Sequence, residues 1–140
     1  MTEQPPGGRV MVQARILLIE DGSTYAKLAT LLLKAMGYTV TWATTAEDGL
    51  RIAREETPDL ILMDINLPDV DGFRAVKLLR QDPLARHIPT LALTAARIWG
   101  EEEQKRAREA GFDAYVEKPI DKATFRSVVE PFLGSPQGPP

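Results

Sequence analysis

Residues 59–72, with the sequence DLILMDINLPDVDG, constrain the fold of this chain more than any other stretch. Four apolar residues lie between two aspartates, with Pro58 before them and a Pro-Asp-x-Asp-Gly turn after them. A short apolar run with such boundaries is typical of a strand buried on both faces. Strands of this kind belong to parallel sheets covered by helices. We therefore expect Asp64 at the carboxyl end of a central parallel strand, the edge at which such sheets bind ligands.

Strand and helix patterns alternate along the rest of the chain. Besides the central strand, short apolar runs predict strands at residues 16–19, 38–43, 90–94 and 114–117, with a helix after each of the five strands. Regular alternation implies right-handed crossovers and helices on both faces of a parallel sheet. The predicted fold class is α/β, a doubly wound five-stranded parallel sheet of the flavodoxin-like type, with strand order 2-1-3-4-5.

Side-chain spacing and capping residues predict the helix boundaries and buried faces. Ser23 or Thr24 is expected to cap the first helix and Gly37 to end it, while Thr45 and Asp71 are expected to cap the second and third. Helical spacing predicts these inner faces: Leu28, Leu31, Leu32 and Ala35 in the first helix; Ala46, Leu50 and Ala53 in the second; Phe73, Val76 and Leu79 in the third; Phe125, Val128, Val129 and Phe132 in the last. The fourth helix is polar, with Glu101/Lys105 and Glu102/Arg106 in the favourable order, and Gly111 ends it.

Length and composition narrow the class of protein. One domain is expected at residues 15–133, between flexible tails at 1–14 and 134–140 that are rich in Gly and Pro. The net charge of −3 argues against binding nucleic acid through a basic surface. The absence of cysteine and the single His87, expected in a surface loop, exclude thiolate and His-ligated metal sites. Without a long apolar run or a signal peptide, the predicted location is cytoplasmic.

Polar residues end four of the five predicted strands. Glu20 and Asp21 follow the first strand, Asp64 ends the third, Thr94 ends the fourth and Lys118 follows the fifth. Because parallel strands bring these ends to one edge, three carboxylates would lie close together and repel. Mg²⁺, which prefers oxygen ligands, would stabilise them. We expect it to bind Glu20, Asp21, Asp64 and the backbone carbonyl of Asn66.

An aspartate at such a site can act as a nucleophile and form an acyl phosphate. Phosphoryl transfer depends mainly on positioning and on neutralising the charge of the phosphoryl oxygens. The ammonium group of Lys118 and the hydroxyl group of Thr94 would serve that purpose beside Mg²⁺. The small side chain of Ala95 would leave Asp64 open to a donor.

The chain resembles the receiver domain of two-component response regulators over residues 15–133. The resemblance rests on four motifs in the family's order: LLIED at residues 17–21, LILMDINLP at 60–68 followed by Asp71-Gly72, LTA at 93–95, and EKP at 117–119. Each motif alone is weak evidence for the family, whereas the four motifs together in this order are specific for it. The chain departs from the family in using Gly22-Ser23 after the acidic pair, Glu20 as the first acid, and an unusually charged fourth helix.

The resemblance implies roles for individual residues. Asp64 would be the phosphoacceptor, Glu20 and Asp21 would hold Mg²⁺, and Lys118 would contact the phosphoryl group. Thr94 would be the switch hydroxyl, and Tyr115 would be the switch aromatic residue. The family pattern also implies a cis peptide bond between Lys118 and Pro119.

The predicted function is that of a stand-alone receiver. A histidine kinase or histidine phosphotransfer protein would donate the phosphoryl group to Asp64. A downstream protein would read the result at the face formed by the fourth helix, fifth strand and fifth helix. Receivers often pair through that face, so a monomer or a weak dimer is expected, with no direct contact with nucleic acid or membrane. No catalysis is expected beyond phosphorylation and dephosphorylation of Asp64 itself.

Two alternatives use the same fold class. A haloacid-dehalogenase-like phosphohydrolase also uses a strand-end aspartate, Mg²⁺, a threonine and a lysine. Those enzymes need a second acid where this chain has Asn66, and their acidic pair follows the nucleophile rather than preceding it as Glu20-Asp21 does. The other alternative is a receiver-fold interaction module that works without phosphorylation.

Three further features have simple interpretations. Trp42 is interpreted as packing at the edge of the sheet. Trp99 is either a packing residue or a contact for a partner. The turn from Asp69 to Gly72 resembles a calcium-binding loop only faintly, because Leu67 and Leu78 occupy positions that need oxygen ligands.

Overall fold

The computed structural model describes residues 13–95 and 100–133. The tails predicted at 1–14 and 134–140 lie outside these ranges, apart from residues 13 and 14. Trp99 and most of the loop from Ala95 to Gly100 also lie outside the described residues.

Strands and helices alternate throughout the described residues. The elements are β1 (Arg15–Ile19), α1 (Ser23–Ala35), β2 (Thr39–Ala43), α2 (Ala46–Glu56), β3 (Leu60–Asp64), α3 (Gly72–Gln81), β4 (Thr90–Thr94), α4 (Glu101–Ala110), β5 (Ala114–Glu117) and α5 (Lys122–Leu133). The strands form one parallel sheet in the order β2-β1-β3-β4-β5. The predicted doubly wound, flavodoxin-like fold is confirmed.

The three inner strands are almost free of solvent contact. Every residue of β3 and β4 is buried, as are all residues of β1 except Arg15. Alternate side chains of each strand contribute to two separate cores, one on each face of the sheet. Side chains of α2, α3 and α4 pack into the first core, and side chains of α1 and α5 pack into the second. Polar side chains on these strands are therefore confined to the strand ends.

The buried face of α1 differs from the prediction. Ala26, Ala29 and Leu33 face the sheet, whereas Leu28 and Leu31 are 62% and 66% exposed. Of the other two predicted core residues, Leu32 is half-buried and Ala35 is exposed. The helix carries two apolar stripes, and the stripe with small residues lets its backbone approach the sheet closely.

The predicted N-cap residue is wrong for α1 and correct for α2. Gly22 occupies the N-cap position of α1, so the prediction of Ser23 or Thr24 is wrong: the helix begins one residue earlier and has no side-chain cap. Thr45 caps α2, where its Oγ1 atom accepts the Asp48 N–H at 3.1 Å.

The other helix boundaries follow the sequence signals. Asp71 caps α3 and accepts the Arg74 N–H at 3.0 Å. Gly37 and Gly111 follow α1 and α4 with φ of 100° and 128°, a region that glycine occupies without strain. The backbone therefore ends both helices where the sequence predicted.

The inner faces of the other helices are largely as predicted. The fully buried members are Ala46, Ala53, Val76, Leu79, Phe125 and Val129, while Leu50, Phe73 and Val128 are half-buried. Phe132 is 36% exposed at the end of α5, which corrects its assignment to the core. On α4, the guanidinium carbon of Arg106 lies 4.7 Å from the centre of the Phe73 ring, a cation–π contact that links α3 and α4.

Candidate functional site

The turn after β1 carries a buried acid next to an exposed one. Glu20 is 2% exposed and Asp21 is exposed. The Oε2 atom of Glu20 accepts the Gly22 N–H at 2.9 Å, and its Oε1 atom lies 2.7 Å from the Nζ atom of Lys118. Both carboxylates lie at the carboxyl edge of the sheet. The Glu20 side chain is held in one orientation by its contacts with Gly22 and Lys118.

Asp64 is the last residue of β3 and lies in the middle of this edge. It is 5% exposed. Its Oδ1 atom accepts the Asn66 N–H at 2.9 Å, and its Oδ2 atom accepts a hydrogen bond from Lys118 Nζ at 3.0 Å. The first bond restrains the plane of the carboxylate, and the second places a positive charge beside it.

Lys118 reaches both carboxylates from the residue after β5. Its backbone N–H donates to the Thr94 carbonyl at 2.9 Å, which extends the ladder between β4 and β5 by one bond. The ammonium group lies 4.8 Å from the centre of the Tyr25 ring. The predicted cis peptide bond between Lys118 and Pro119 is present. Only 19% of the lysine side chain is exposed, so its charge is directed into the site.

Thr94 and Tyr115 lie on the last two strands of the sheet. Thr94 ends β4 and is 1% exposed, opposite Glu117 in the ladder. Tyr115 is half-buried in β5, and its hydroxyl group accepts a long hydrogen bond from Gln104 Nε2 at 3.5 Å. Thr94 is therefore at the same edge as Asp64, whereas the Tyr115 hydroxyl contacts α4.

Three carboxylates at the site have the arrangement that a divalent cation needs. One oxygen from each of Glu20, Asp21 and Asp64 lies within 4.8 Å of the others. Two oxygens that bind one Mg²⁺ are at most about 4.2 Å apart, given metal–oxygen distances of about 2.1 Å. Small side-chain rotations would bring this all-oxygen set into range, and such ligands suit Mg²⁺. The residues present thus fit the metal.

The electrostatics of the site favour a positive charge beside Glu20 and Asp64. Burial and the neighbouring Asp64 charge raise the pKa of Glu20, although hydrogen bonds from Lys118 and Gly22 act in the opposite direction. Burial alone would lower the pKa of Lys118, but its hydrogen bonds to Glu20 and Asp64 outweigh that effect and raise it. In the described structure the lysine ammonium is the cation that stabilises the carboxylates.

Two residues near the site have contacts that the sequence did not reveal. Asp69, in the loop after β3, accepts the N–H groups of Ala46 and Glu47 at 2.9 and 3.0 Å and so caps α2 from another loop. Trp42, interpreted from the sequence as edge packing, donates its indole N–H to the Glu20 carbonyl at 2.6 Å. Both contacts join segments more than 20 residues apart, so no local sequence signal could have predicted them.

Nearly all of the folded region matches a known family. Residues 16–130 match the response regulator receiver domain family. The polar-differentiation response regulator DivK of Brucella ovis is 40% identical over 119 residues, which cover 85% of this chain and 95% of that protein.

Solved structures agree with this assignment. A putative response regulator from Chloroflexus aurantiacus is 30% identical, with a TM-score of 0.79 over 87% of this chain and 98% of that one. The receiver domain of the sensor histidine kinase PA1611 from Pseudomonas aeruginosa, solved with a magnesium ion coordinated in its active-site cleft, is 31% identical. Its TM-score is 0.78 over 89% of this chain and all of that one.

Among the described residues, no helix has the length and apolar character required to cross a membrane.

The order of the strands, the acidic cluster at their carboxyl edge and the similarity to these proteins lead to the same assignment. The chain belongs to the response regulator receiver domain family.

Proposed function

We propose that Asp64 accepts a phosphoryl group from the phosphohistidine of a histidine kinase or phosphotransfer protein, and that a partner protein reads the phosphorylated state. The observation that carries the proposal is the convergence of Glu20, Asp21 and Lys118 on the Asp64 carboxylate. Membership of the receiver family supports the same role. The magnesium ion in the related receiver of the PA1611 kinase supports Mg²⁺ as the metal.

In the transfer step, a carboxylate oxygen of Asp64 attacks phosphorus. The P–N bond to the donor imidazole breaks, and its electron pair stays on the ring nitrogen. Mg²⁺, bound by Glu20, Asp21, Asp64 and the Asn66 carbonyl, would supply charge neutralisation for the phosphoryl oxygens. The Asn66 N–H holds Oδ1 of Asp64 in place, which keeps the carboxylate oriented toward the donor.

Lys118 and Thr94 respond to the new group. The Lys118 ammonium, already 3.0 Å from Oδ2 of Asp64, needs only a small movement to pair with a phosphoryl oxygen. The Thr94 hydroxyl would donate to another phosphoryl oxygen. At Asn66 the chain has a neutral amide rather than a carboxylate that could take a proton from water as it attacks the aspartyl phosphate. This favours a lasting aspartyl phosphate over rapid turnover.

The signal is expected at the face formed by α4, β5 and α5. Tyr115 lies there, hydrogen-bonded to Gln104. It lines a cleft of about 250 Å³ together with Ala107, Phe112 and Val128. Movement of Thr94 toward the phosphoryl group would allow Tyr115 to turn inward and change the shape of this cleft. A downstream protein that binds there would then distinguish the two states.

Incubation with acetyl phosphate and Mg²⁺, followed by intact-mass measurement, tests the acceptor. The wild type should gain one phosphoryl group, and Asp64→Asn should gain none. Asp59→Asn is the matched control, because Asp59 precedes β3 at its other end, where its carboxylate accepts the Arg15 N–H at 2.8 Å. An equal gain in wild type and Asp64→Asn would overturn the assignment.

The same experiment distinguishes the two alternatives. Rapid multiple turnover of phosphate esters would indicate a phosphohydrolase of the haloacid-dehalogenase type. Absence of any adduct, both with acetyl phosphate and with a phosphorylated histidine donor, would indicate an interaction module that works without phosphorylation. The complete set of site residues and the family match both favour the receiver.

A further inference from the structure

The indole of Trp42 makes a hydrogen bond that edge packing does not require. Trp42 belongs to β2, the edge strand, and its side chain is 37% exposed. Its Nε1–H donates to the backbone carbonyl of Glu20 at 2.6 Å. A short, side-chain-to-backbone bond of this kind orders both partners.

The accepting carbonyl belongs to the peptide group that joins the two acids of the site. Because a peptide group is planar, fixing the direction of the Glu20 carbonyl also fixes the position of the Asp21 N–H and Cα. The Glu20 N–H is held in turn by the Ala43 carbonyl at 2.9 Å. Consecutive residues of β2 therefore hold the backbone of Glu20 at both its donor and its acceptor.

From these contacts we infer that Trp42 is a positioning residue for the divalent-cation site. The inference rests on the proposed function, because it assumes that Glu20 and Asp21 bind the metal. Glu20 has further restraints on its side chain, from Gly22 and Lys118. Asp21 is exposed and depends more on the backbone for its orientation. The indole bond thus acts mainly by presenting the Asp21 carboxylate to the metal.

Substitution of Trp42 by Phe separates the hydrogen bond from the packing. Phe keeps an aromatic ring at the sheet edge and removes the donor. Binding of Mg²⁺ to the full chain is measured by isothermal titration calorimetry. We expect the dissociation constant of Trp42→Phe to rise about three- to tenfold, the range for loss of one hydrogen bond.

A stability control separates positioning from general weakening of β2. Val40 lies on the same face of β2 as Trp42 and packs against the core. Val40→Ala should lower the melting temperature without changing the Mg²⁺ dissociation constant. Equal losses of affinity in Val40→Ala and Trp42→Phe would mean that strand stability is the cause, and would overturn the inference.

A spectroscopic measurement covers the case in which Trp42→Phe does not fold. In the Trp99→Phe background, Trp42 is the single tryptophan. Its fluorescence should change on titration with Mg²⁺, with a midpoint equal to the calorimetric dissociation constant. The change should disappear when Asp21→Asn is added. A fluorescence that does not respond while calorimetry shows binding would contradict the inference.

The outcomes also separate this inference from the proposed function. If wild type, Asp21→Asn and Asp64→Asn all bind Mg²⁺ equally or not at all, the metal site itself is wrong and both proposals fail. If only the acidic variants lose affinity while Trp42→Phe retains it, the metal site stands and the role of Trp42 is refuted.

Discussion

The ammonium group of Lys118 lies 2.7 Å from the Oε1 atom of Glu20. The same group lies 3.0 Å from Oδ2 of Asp64. The single positive charge of the lysine is therefore shared between two of the three carboxylates that would bind a divalent cation. Under the proposed function, the lysine and the metal would compete for the same oxygens until a phosphoryl group gives the lysine a new partner.

Lys118→Met should bind Mg²⁺ more tightly than the wild type. Removal of the competing charge is expected to lower the dissociation constant about tenfold or more, because these ion pairs are largely buried and interact more strongly than surface pairs. Phosphorylation by acetyl phosphate should nevertheless be slower, because the phosphoryl oxygens lose a cationic partner. Titration calorimetry and intact-mass kinetics measure the two effects. Lys122→Met, an exposed lysine on α5, is the control, and weaker Mg²⁺ binding in Lys118→Met would refute the competition.

The Asp69 cap on α2 should contribute pH-dependent stability. Slight burial opposes ionisation, but the N–H groups of Ala46 and Glu47 outweigh it and lower the pKa of Asp69. A carboxyl group with a lowered folded-state pKa stabilises the fold above its unfolded pKa, and that contribution is lost as the pH falls through the folded value. Asp69→Asn should therefore cost about 0.5 kcal/mol at pH 7, because Asn keeps one side-chain acceptor but loses the charge at the exposed N-terminus of the helix. The difference from wild type should shrink below about pH 4.

Urea denaturation at several pH values measures that difference. Asp48→Asn is the matched control, because Asp48 also lies in the first turn of α2 but pairs with Arg51 at 3.6 Å. Exposed pairs of this kind contribute little. If the two variants lose the same free energy of unfolding at every pH, the cap assigned to Asp69 is wrong.

Gly72→Ala should disturb the loop that carries Asn66. A Cβ atom at position 72 would lie 2.5 Å from the Ile65 Cα and 3.0 Å from the Asp64 carbonyl oxygen, so the backbone must move. Overpacking of this kind costs about 1–3 kcal/mol. We expect lower stability in denaturant and a lower rate of phosphorylation by acetyl phosphate. In Gly100→Ala the new Cβ meets, among the described residues, the end of the flexible Glu103 side chain at 3.1 Å, and this control should keep the rate of phosphorylation.

The two apolar stripes of α1 should differ sharply in stability measurements. Leu33→Ala removes a fully buried side chain and should cost about 2–5 kcal/mol. Leu31→Ala changes a side chain that is 66% exposed, and the cost should stay within about 0.5 kcal/mol. Chemical denaturation of both variants measures the difference. Equal costs would contradict this difference in burial, and a larger cost in Leu31→Ala would mean that the helix is rotated toward the stripe predicted from the sequence.

Local patterns were sufficient to predict the strands and most helix ends. The apolar run at residues 60–63, the cap at Thr45 and the glycine at Gly111 each depend on neighbours within a few residues. The site residues at strand ends were predictable for the same reason, since parallel strands must bring Glu20, Asp64 and Thr94 to one edge.

Features that depend on packing between distant segments could not be predicted in this way. In α1, large leucines are more hydrophobic than alanines, and the periodicity alone favours the wrong face. Ala26 and Ala29 are the residues that face the sheet, because the short distance between helix and sheet leaves room only for small side chains there. The Trp42 bond depends on the pairing of β1 with β2, where Leu18 lies opposite Trp42.

The contacts of Asp69 and Gly72 imply a limit on the length of the loop after β3. Asp64 is fixed at the sheet, Asp69 is anchored to the start of α2, and the Gly72 N–H donates to the Ile65 carbonyl at 2.8 Å. A surface loop usually tolerates inserted residues. An insertion here would move Asp64 away from the contact that Asp69 makes with α2 or from the contact between Gly72 and Ile65. Variation in chain length should therefore not be tolerated between β3 and α3.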